Sequence, residues 1–324
     1  MIWRCHIGDE ATTPESEYGW AFLSRYLAEV PVSIFSRHAY VPPALSHTQT
    51  VVVAPSIDPF SAKCETLDEM TMRTILEHTG LIEGHGKDRP FEFAAMNGTL
   101  RRVDRRAHFV SDGSRPRLED PLVLQISRWD PLKDPSGVID AFTRMPLEGV
   151  AANAHLMLVG PDVTGVADDP EAAATLEATL YHWRALPEPL RRRVHLVSLP
   201  TADVTENASM VNALQSHASV VVQKSLREGF GLTVTEAMWK ARPIIASRVG
   251  GIQDQIEDEV EGILVDDPHD VDAVGSAISQ LLNDHVLAER LGSAARKKVL
   301  HQFLPPRHLL QYAELIEKCL AAGH

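Results

Sequence analysis

From Leu122 to Asn283, short apolar runs and longer amphipathic stretches alternate without interruption. Leu122–Ile126, His155–Val159, Val194–Ser198, Ser219–Gln223, Pro243–Ala246 and Gly262–Val265 predict strands. Each run is almost continuously apolar and often β-branched, as a strand must be when both its faces are covered. Between them, Gly137–Met145, Pro170–Ala185, Thr205–His217 and Leu232–Ala241 predict helices, and Asp270–Asn283 predicts another after the last strand. Strict alternation of this kind requires right-handed crossovers, so it predicts a parallel, doubly wound sheet. That is one complete Rossmann-like domain.

The flanks are thinner. Ile2–Ile7, Val32–Phe35 and Val51–Val53 predict three strands, with a helix from about Glu17 to Glu29 between the first two. Between 84 and 120, Gly84-His85-Gly86-Lys87-Asp88, Asn97-Gly98 and Asp112-Gly113-Ser114-Arg115-Pro116 are turn signals in a stretch of low apolar content, read as a linker or surface insertion. Pro305-Pro306 separates a helix at Leu287–Leu300 from a last one, Arg307–Ala321. Helical periodicity there places Leu309, Leu310, Ala313, Ile316, Cys319 and Leu320 on one apolar face.

Charge and composition limit the function classes. The 324 residues include 31 Lys and Arg against 44 Asp and Glu, a net charge of −13, which disfavours nucleic acid and anionic lipid. Any phosphate must therefore sit in a local basic pocket. No run of about 18 apolar residues is present, so no membrane span is expected. Cys5, Cys64 and Cys319 are odd in number and lack metal spacing, which predicts reduced thiols in a cytoplasmic protein, with no metal and no other cofactor.

The densest chemical signal is Glu228-Gly229-Phe230-Gly231-Leu232-Thr233-Val234-Thr235-Glu236, between a strand and the helix it opens. Open α/β sheets bind ligands at strand carboxyl ends, and the N–H groups of a helix's first turn suit a phosphate. A plain glycine turn with two solvated glutamates accounts for the segment equally well. A second cluster, Ser127-Arg128-Trp129-Asp130-Pro131-Leu132-Lys133, follows the first strand of the same domain. Its Arg and Lys can supply the positive charge a diphosphate needs. Arg248-Val249-Gly250-Gly251-Ile252 follows the next strand and would border the same cleft.

Glu228 and Glu236 form an E-x7-E signature, and with Arg128 and Lys133 the chain resembles the retaining glycosyltransferases of family 4, which have the two-domain GT-B fold. Pro55-Ser56-Ile57-Asp58 is similar to that family's interdomain turn, in shortened form. Trp3–Ile7, Ser225–Lys240 and Val249–Ile252 resemble, more narrowly, its trehalose synthase and retaining trehalose phosphorylase branch. The resemblance implies an acceptor-side Rossmann-like portion at 1–60, a linker and surface insertion at 61–120 and a donor-binding Rossmann-like domain at 121–300. A C-terminal helix at 301–324 would return towards the N-terminal portion.

It further implies that Arg128 and Lys133 neutralise a donor diphosphate, that Glu228 contacts the donor sugar's hydroxyls and that Glu236 holds the ribose. The N–H groups of Phe230 and Gly231 would meet sugar hydroxyls, those of Leu232 and Thr233 the phosphate, with Gly250 and Gly251 also on the donor side. His6 would point at the donor sugar from the end of an N-terminal strand. Transfer in that family is described as running on one face of an oxocarbenium-like sugar, the leaving phosphate taking the acceptor's proton. Family members carry about four further strand–helix units ahead of the strand bearing His6, so the acceptor site is expected to be incomplete and transfer poor. The resulting expectation is a nucleoside-diphosphate-glucose donor, glucose or a related sugar as acceptor, trehalose as product, and a homodimer as one option for assembly. A trehalose phosphorylase and a non-catalytic nucleotide-sugar binding module remain open. A Rossmann oxidoreductase is disfavoured because no G-x-G-x-x-G opens the domain's first helix.

Overall fold

A computed structural model describes the whole chain except Ile7, Asp9, Ser46, His47, His85, Lys87, Asp88, Asp112, Gly113, 164–169 and 322–324. The expected strand end at Ile7 and the turn residues His85, Lys87, Asp88, Asp112 and Gly113 lie outside the described residues. In chain order the N-terminal part holds β1 (Ile2–Arg4), α1 (Pro14–Leu27), β2 (Val32–Phe35) and β3 (Gln49–Val52). Next come α2 (Glu69–Thr79), β4 (Phe91–Ala94), β5 (Leu100–Val103) and β6 (His108–Phe109). The alternating region provides β7 (Leu122–Ile126), α3 (Pro135–Arg144), β8 (His155–Pro161), α4 (Pro170–Arg184), α5 (Glu188–Arg191) and β9 (Val194–Leu199). It continues with α6 (Val204–His217), β10 (Val220–Gln223), α7 (Leu232–Trp239), β11 (Ile244–Ser247), α8 (Ile252–Gln255), β12 (Ile263–Val265) and α9 (Val271–Asn283). Two helices, α10 (His285–Gln302) and α11 (Pro305–Ala321), close the chain.

The larger sheet has the order β12-β11-β10-β7-β8-β9-β6, with every pair parallel except β6 on β9. All six expected strands are present, and the chain winds outward in both directions from the β7–β10 pair. That pair is the topological switch point, where an open α/β sheet leaves a crevice beyond its strand carboxyl ends. The strands read as continuous apolar runs because helices cover both faces: β7 to β10 are almost wholly buried between two core clusters.

The segment expected as a linker and surface insertion is built into this domain instead. β6 extends the sheet as an antiparallel edge, β4 and β5 form a hairpin, and Ile75, Leu76, Leu81, Ile82, Phe93 and Val103 lie in the larger core cluster. Polar anchors reinforce the packing. Glu206 on α6 accepts the Asp104 and Arg105 N–H groups at 2.6 Å each, and Asn212 donates to the carbonyls of Ala62 and Glu65. Strand and turn signals diluted by Arg and Asp on the solvent side hid the buried half of this segment.

β1, β2 and β3 form a separate three-stranded parallel sheet. Leu27, Val30, Phe35, Tyr40 and Leu45 pack on one side of it, joined by Trp3 and Trp20. α11 lies on the other side, where Leu315 packs with Val32, Ile34 and Val53. The helix presents a different face from the one its sequence suggests. Of the expected stripe Cys319 does turn inward, beside Leu315 and Tyr312, whereas Leu309, Leu310 and Leu320 are 71%, 63% and 72% exposed. Polar anchors decide the rotation: Arg307 donates to the carbonyls of Ala54 and Pro55, and Arg4 donates to the Tyr312 hydroxyl. No helix is long and apolar enough to cross a membrane among the described residues.

Candidate functional site in the interdomain cleft

Because β7, β10 and β11 are neighbours, the loops after their carboxyl ends are neighbours too. The loop after β7 is held down by Trp129, whose ring is buried and whose Nε1 donates to the Pro161 carbonyl at 3.0 Å. Gly160 leaves room for that ring, since a Cβ there would lie 2.5 Å from it. Asp130 accepts the Leu132 N–H, and Gln125 donates to the Lys133 carbonyl, so Lys133 sits on a fixed turn. Arg128, with its side chain 70% exposed, reaches Asp130 at 3.2 Å.

The loop after β10 meets this turn directly. Leu226 N–H donates to the Leu132 carbonyl at 2.8 Å, and Lys133 Nζ lies 2.6 Å from Glu228 Oε2. The Arg–Lys loop and the first signature glutamate are therefore one cluster at the switch point. Beneath it, Lys224 is only 1% exposed and pairs with Asp134, a residue held at φ +45° that caps α3 by accepting the Gly137 N–H. A non-glycine residue in the left-handed region is uncommon, and Asp tolerates it through local hydrogen bonds of this kind.

Gly231 starts α7 at φ +86°. The carbonyls of Gly229 and Phe230 in the preceding loop are engaged from α8 and the turn that opens it. Gln255, fully buried on α8, donates to the Phe230 carbonyl at 2.5 Å and accepts the Thr235 hydroxyl at 2.6 Å. Gly251 N–H donates to the Gly229 carbonyl at 3.1 Å. Close approach here needs Gly250, because a Cβ on it would fall 1.7 Å from the Glu228 carbonyl oxygen. With the carbonyls engaged, the N–H groups of residues 229–233 meet no protein acceptor among the described residues. The Phe230 ring packs edge-on against Phe303 at 5.9 Å between ring centroids. Leu232 and Thr233 are exposed and half-buried at the helix mouth.

Glu236 lies about one turn along α7, buried beside two lysines. Its Oε1 is 3.5 Å from Lys63 Nζ, and its Oε2 is buried without a hydrogen-bond partner among the described residues. Burial pushes its carboxyl upward, opposed by the charges of Lys63 and Lys240. Lys240, half-buried, donates to the Lys63 carbonyl and to Gln215, and desolvation brings its ammonium down to about 8.

The N-terminal sheet also turns its strand carboxyl ends to this crevice. Tyr40, after β2, donates to the Gly229 carbonyl, Arg37 pairs with Asp254 at 2.6 Å, and Gln253 donates to Glu10. His6 is exposed just beyond β1, two residues before Gly8, over which the Tyr40 ring packs. The structure thus brings Arg128, Lys133, Glu228, Phe230, Gly231, Leu232, Thr233, Gly250 and Gly251 to one corner. Glu236 is deeper, and His6 sits on the opposite bank. Sequence reasoning missed Tyr40, Lys63, Lys224, Lys240 and Gln255. A polar residue following Gly-Gly on a short helix hints at Gln255, but the others have partners far off in the chain.

Two parallel sheets opposing their carboxyl ends across a cleft make this a GT-B glycosyltransferase fold, and solved structures agree. Alr3699/HepE of Anabaena in complex with UDP-glucose superimposes with a TM-score of 0.66 at 16% identity, over 98% of this chain and 72% of that one. Residues 110–298 match the model of the glycosyl transferases group 1, and the chain belongs to that family. It is 35% identical over 322 residues to the trehalose synthase of Rubrobacter xylanophilus, covering 98% of this chain and 64% of that protein. It is 29% identical over 188 residues to the trehalose phosphorylase of Pleurotus pulmonarius, covering 55% and 24%. The chain thus spans just under two thirds of the trehalose synthase's length.

Proposed function

We propose that this chain acts as a retaining hexosyltransferase that takes glucose from a nucleoside-diphosphate glucose and passes it to glucose, forming trehalose. The observation that carries this reading is the switch-point corner itself, where Lys133, Glu228 and a row of unengaged N–H groups at the mouth of α7 meet. The likeness to trehalose synthase supports the product, and the neighbour holding UDP-glucose supports the donor class.

In this reading the diphosphate lies against the N–H groups of Leu232 and Thr233, with Lys133 and Arg128 answering its charge. Glu228, relieved of Lys133 by the incoming phosphate, accepts sugar hydroxyls together with the N–H groups of Phe230 and Gly231. Glu236, with its Oε2 unengaged, accepts from the ribose, and His6 faces the donor sugar from the opposite bank. Cleavage of the bond between C1 and the phosphate oxygen places negative charge on the departing phosphate. Fixed dipoles and cations stabilise that charge without reorganising. The acceptor oxygen then bonds to C1 on the same face, and its proton passes to the phosphate. No carboxylate nucleophile is needed.

The test is incubation with UDP-glucose, ADP-glucose or GDP-glucose plus glucose, following disaccharide release, beside a thermal-shift series with nucleoside diphosphates, glucose 1-phosphate and phosphate. A ligand at about 100 times its Kd adds roughly 2.7 kcal/mol of stability. Stabilisation by a nucleoside diphosphate together with trehalose formation supports the transferase. A response to phosphate and glucose 1-phosphate alone overturns it in favour of a phosphorylase, and binding of nucleotide sugar without transfer favours a binding module.

A further inference from the structure

We propose that Tyr40 is a positioning residue, holding the Glu228-Gly229 loop in place from the opposite domain. The inference rests on the transferase reading for its effect on catalysis, though not for the contact. The Tyr40 hydroxyl donates to the Gly229 carbonyl at 2.5 Å, with the Glu228 carbonyl at 3.2 Å. The residues are separated by almost 190 positions and follow strands of different sheets, so the contact exists only where the two domains meet.

The ring is built to aim that hydroxyl. It is 4% exposed, packed in the N-terminal core, and Gly8 lies so close that any Cβ would overlap it. Arg37 sits over its face, 5.8 Å from the ring centroid, and spans to Asp254 on α8. Glu10 pairs with the same Arg37 and accepts from Gln253, so Tyr40 lies at the centre of a cross-cleft contact.

On the far side the loop is held by Gly251 and Gln255, which belong to its own domain. Tyr40 adds the anchor that only the opposite domain provides. Its bonds engage the Glu228 and Gly229 carbonyls and so orient the peptide groups whose N–H ends face the crevice. Glu228 is on the same turn, so its carboxylate is positioned by the same contact. Donor can bind to the larger domain with the cleft open. The arrangement that reacts requires closure, and Tyr40 is the residue that reports closure to the loop.

Tyr40→Phe tests this, because it removes one oxygen and keeps the ring packed on Gly8. In hydrogen–deuterium exchange with UDP-glucose present, residues 226–232 are expected to exchange several-fold faster in the variant, while 121–126 and 155–161 are unchanged. Kd for UDP should stay within about twofold and kcat fall about tenfold, as for loss of one well-placed hydrogen bond expressed only in the closed state. Unchanged exchange over 226–232 overturns the proposal, and so does a loss that appears wholly in UDP binding. Should the wild-type chain transfer no glucose from any nucleotide, the transferase reading fails while the exchange experiment still decides the role of Tyr40.

Discussion

Lys133 and Glu228 neutralise each other in a corner where both side chains are mostly buried, so removing either one changes the other's task. Lys133→Ala is expected to weaken a nucleoside diphosphate by about 10- to 100-fold, the size of a charge-assisted hydrogen bond, while affecting the nucleoside little. Glu228→Ala should leave diphosphate affinity intact or raised, since Lys133 is then free, yet weaken the sugar nucleotide. Calorimetry with both ligands checks the pair, and equal losses for nucleoside and diphosphate would remove Lys133 from the phosphate site. A different residue governs acid stability. His195 stacks on His155, with Nε2 2.9 Å from the latter's Nδ1, and burial lowers it to about 3. Its folded-state value lies below the unfolded one, near 6.5, so its contribution is full above 6.5 and declines as pH falls towards 3. At pH 5 the loss from this group is about 2 kcal/mol. Urea midpoints from pH 7 to 4 should fall less steeply in His195→Gln, by about one proton's worth of slope; His155 and His217, also lowered by burial, keep part of the slope in both proteins.

The elements were legible to different degrees. β7 to β12 and their helices declare themselves because burial on both faces leaves nearly unbroken apolar runs, a local property of the chain. The Gly-Gly after β11 was readable as a turn, but its purpose belongs to packing. Gly250 adopts φ +49° with the Glu228 carbonyl where a Cβ would stand, so Gly250→Ala combines left-handed strain with an unavoidable backbone clash. It is expected to cost roughly 2–4 kcal/mol from these two sources together and to shift the loop bearing Glu228. Urea denaturation measures the first effect, and a loss of sugar-nucleotide affinity resembling that of Glu228→Ala measures the second. The E-x7-E spacing shows two carboxylates flanking a helix start. It does not show that Gln255 holds the intervening carbonyls, because that contact comes from a helix nearly 20 residues beyond the second glutamate.

At the scale of the whole molecule, α11 ties the last residues of the chain to the first sheet. Ile57 N–H donates to the Phe303 carbonyl, Ser56 meets His308, and Leu315 fills the space against Val32, Ile34 and Val53. Leu315→Ala should therefore cost about 2–5 kcal/mol, as for a large-to-small change in a core, and increase limited proteolysis within residues 1–60. Leu309→Ala, on the exposed stripe, should change neither; matching effects of the two would mean that the helix docks through the other face. Periodicity identified an apolar stripe on α11 but could not choose between two stripes, since the choice depends on Arg307, Tyr312 and their partners more than 250 residues away. The sequence by itself determined the parallel doubly wound domain, the strand ends that carry Arg128, Lys133, Glu228 and Gly250, and the family resemblance in their motifs. These are consequences of local periodicity and of short spacings along the chain. Only the tertiary structure decided that segment 61–120 belongs to the larger core, that Lys133 is answered by Glu228, and that Tyr40 grips the glycine loop across the cleft. Each of these is a contact between residues remote in sequence, and its energy exists only once the sheets have formed and the two domains have met.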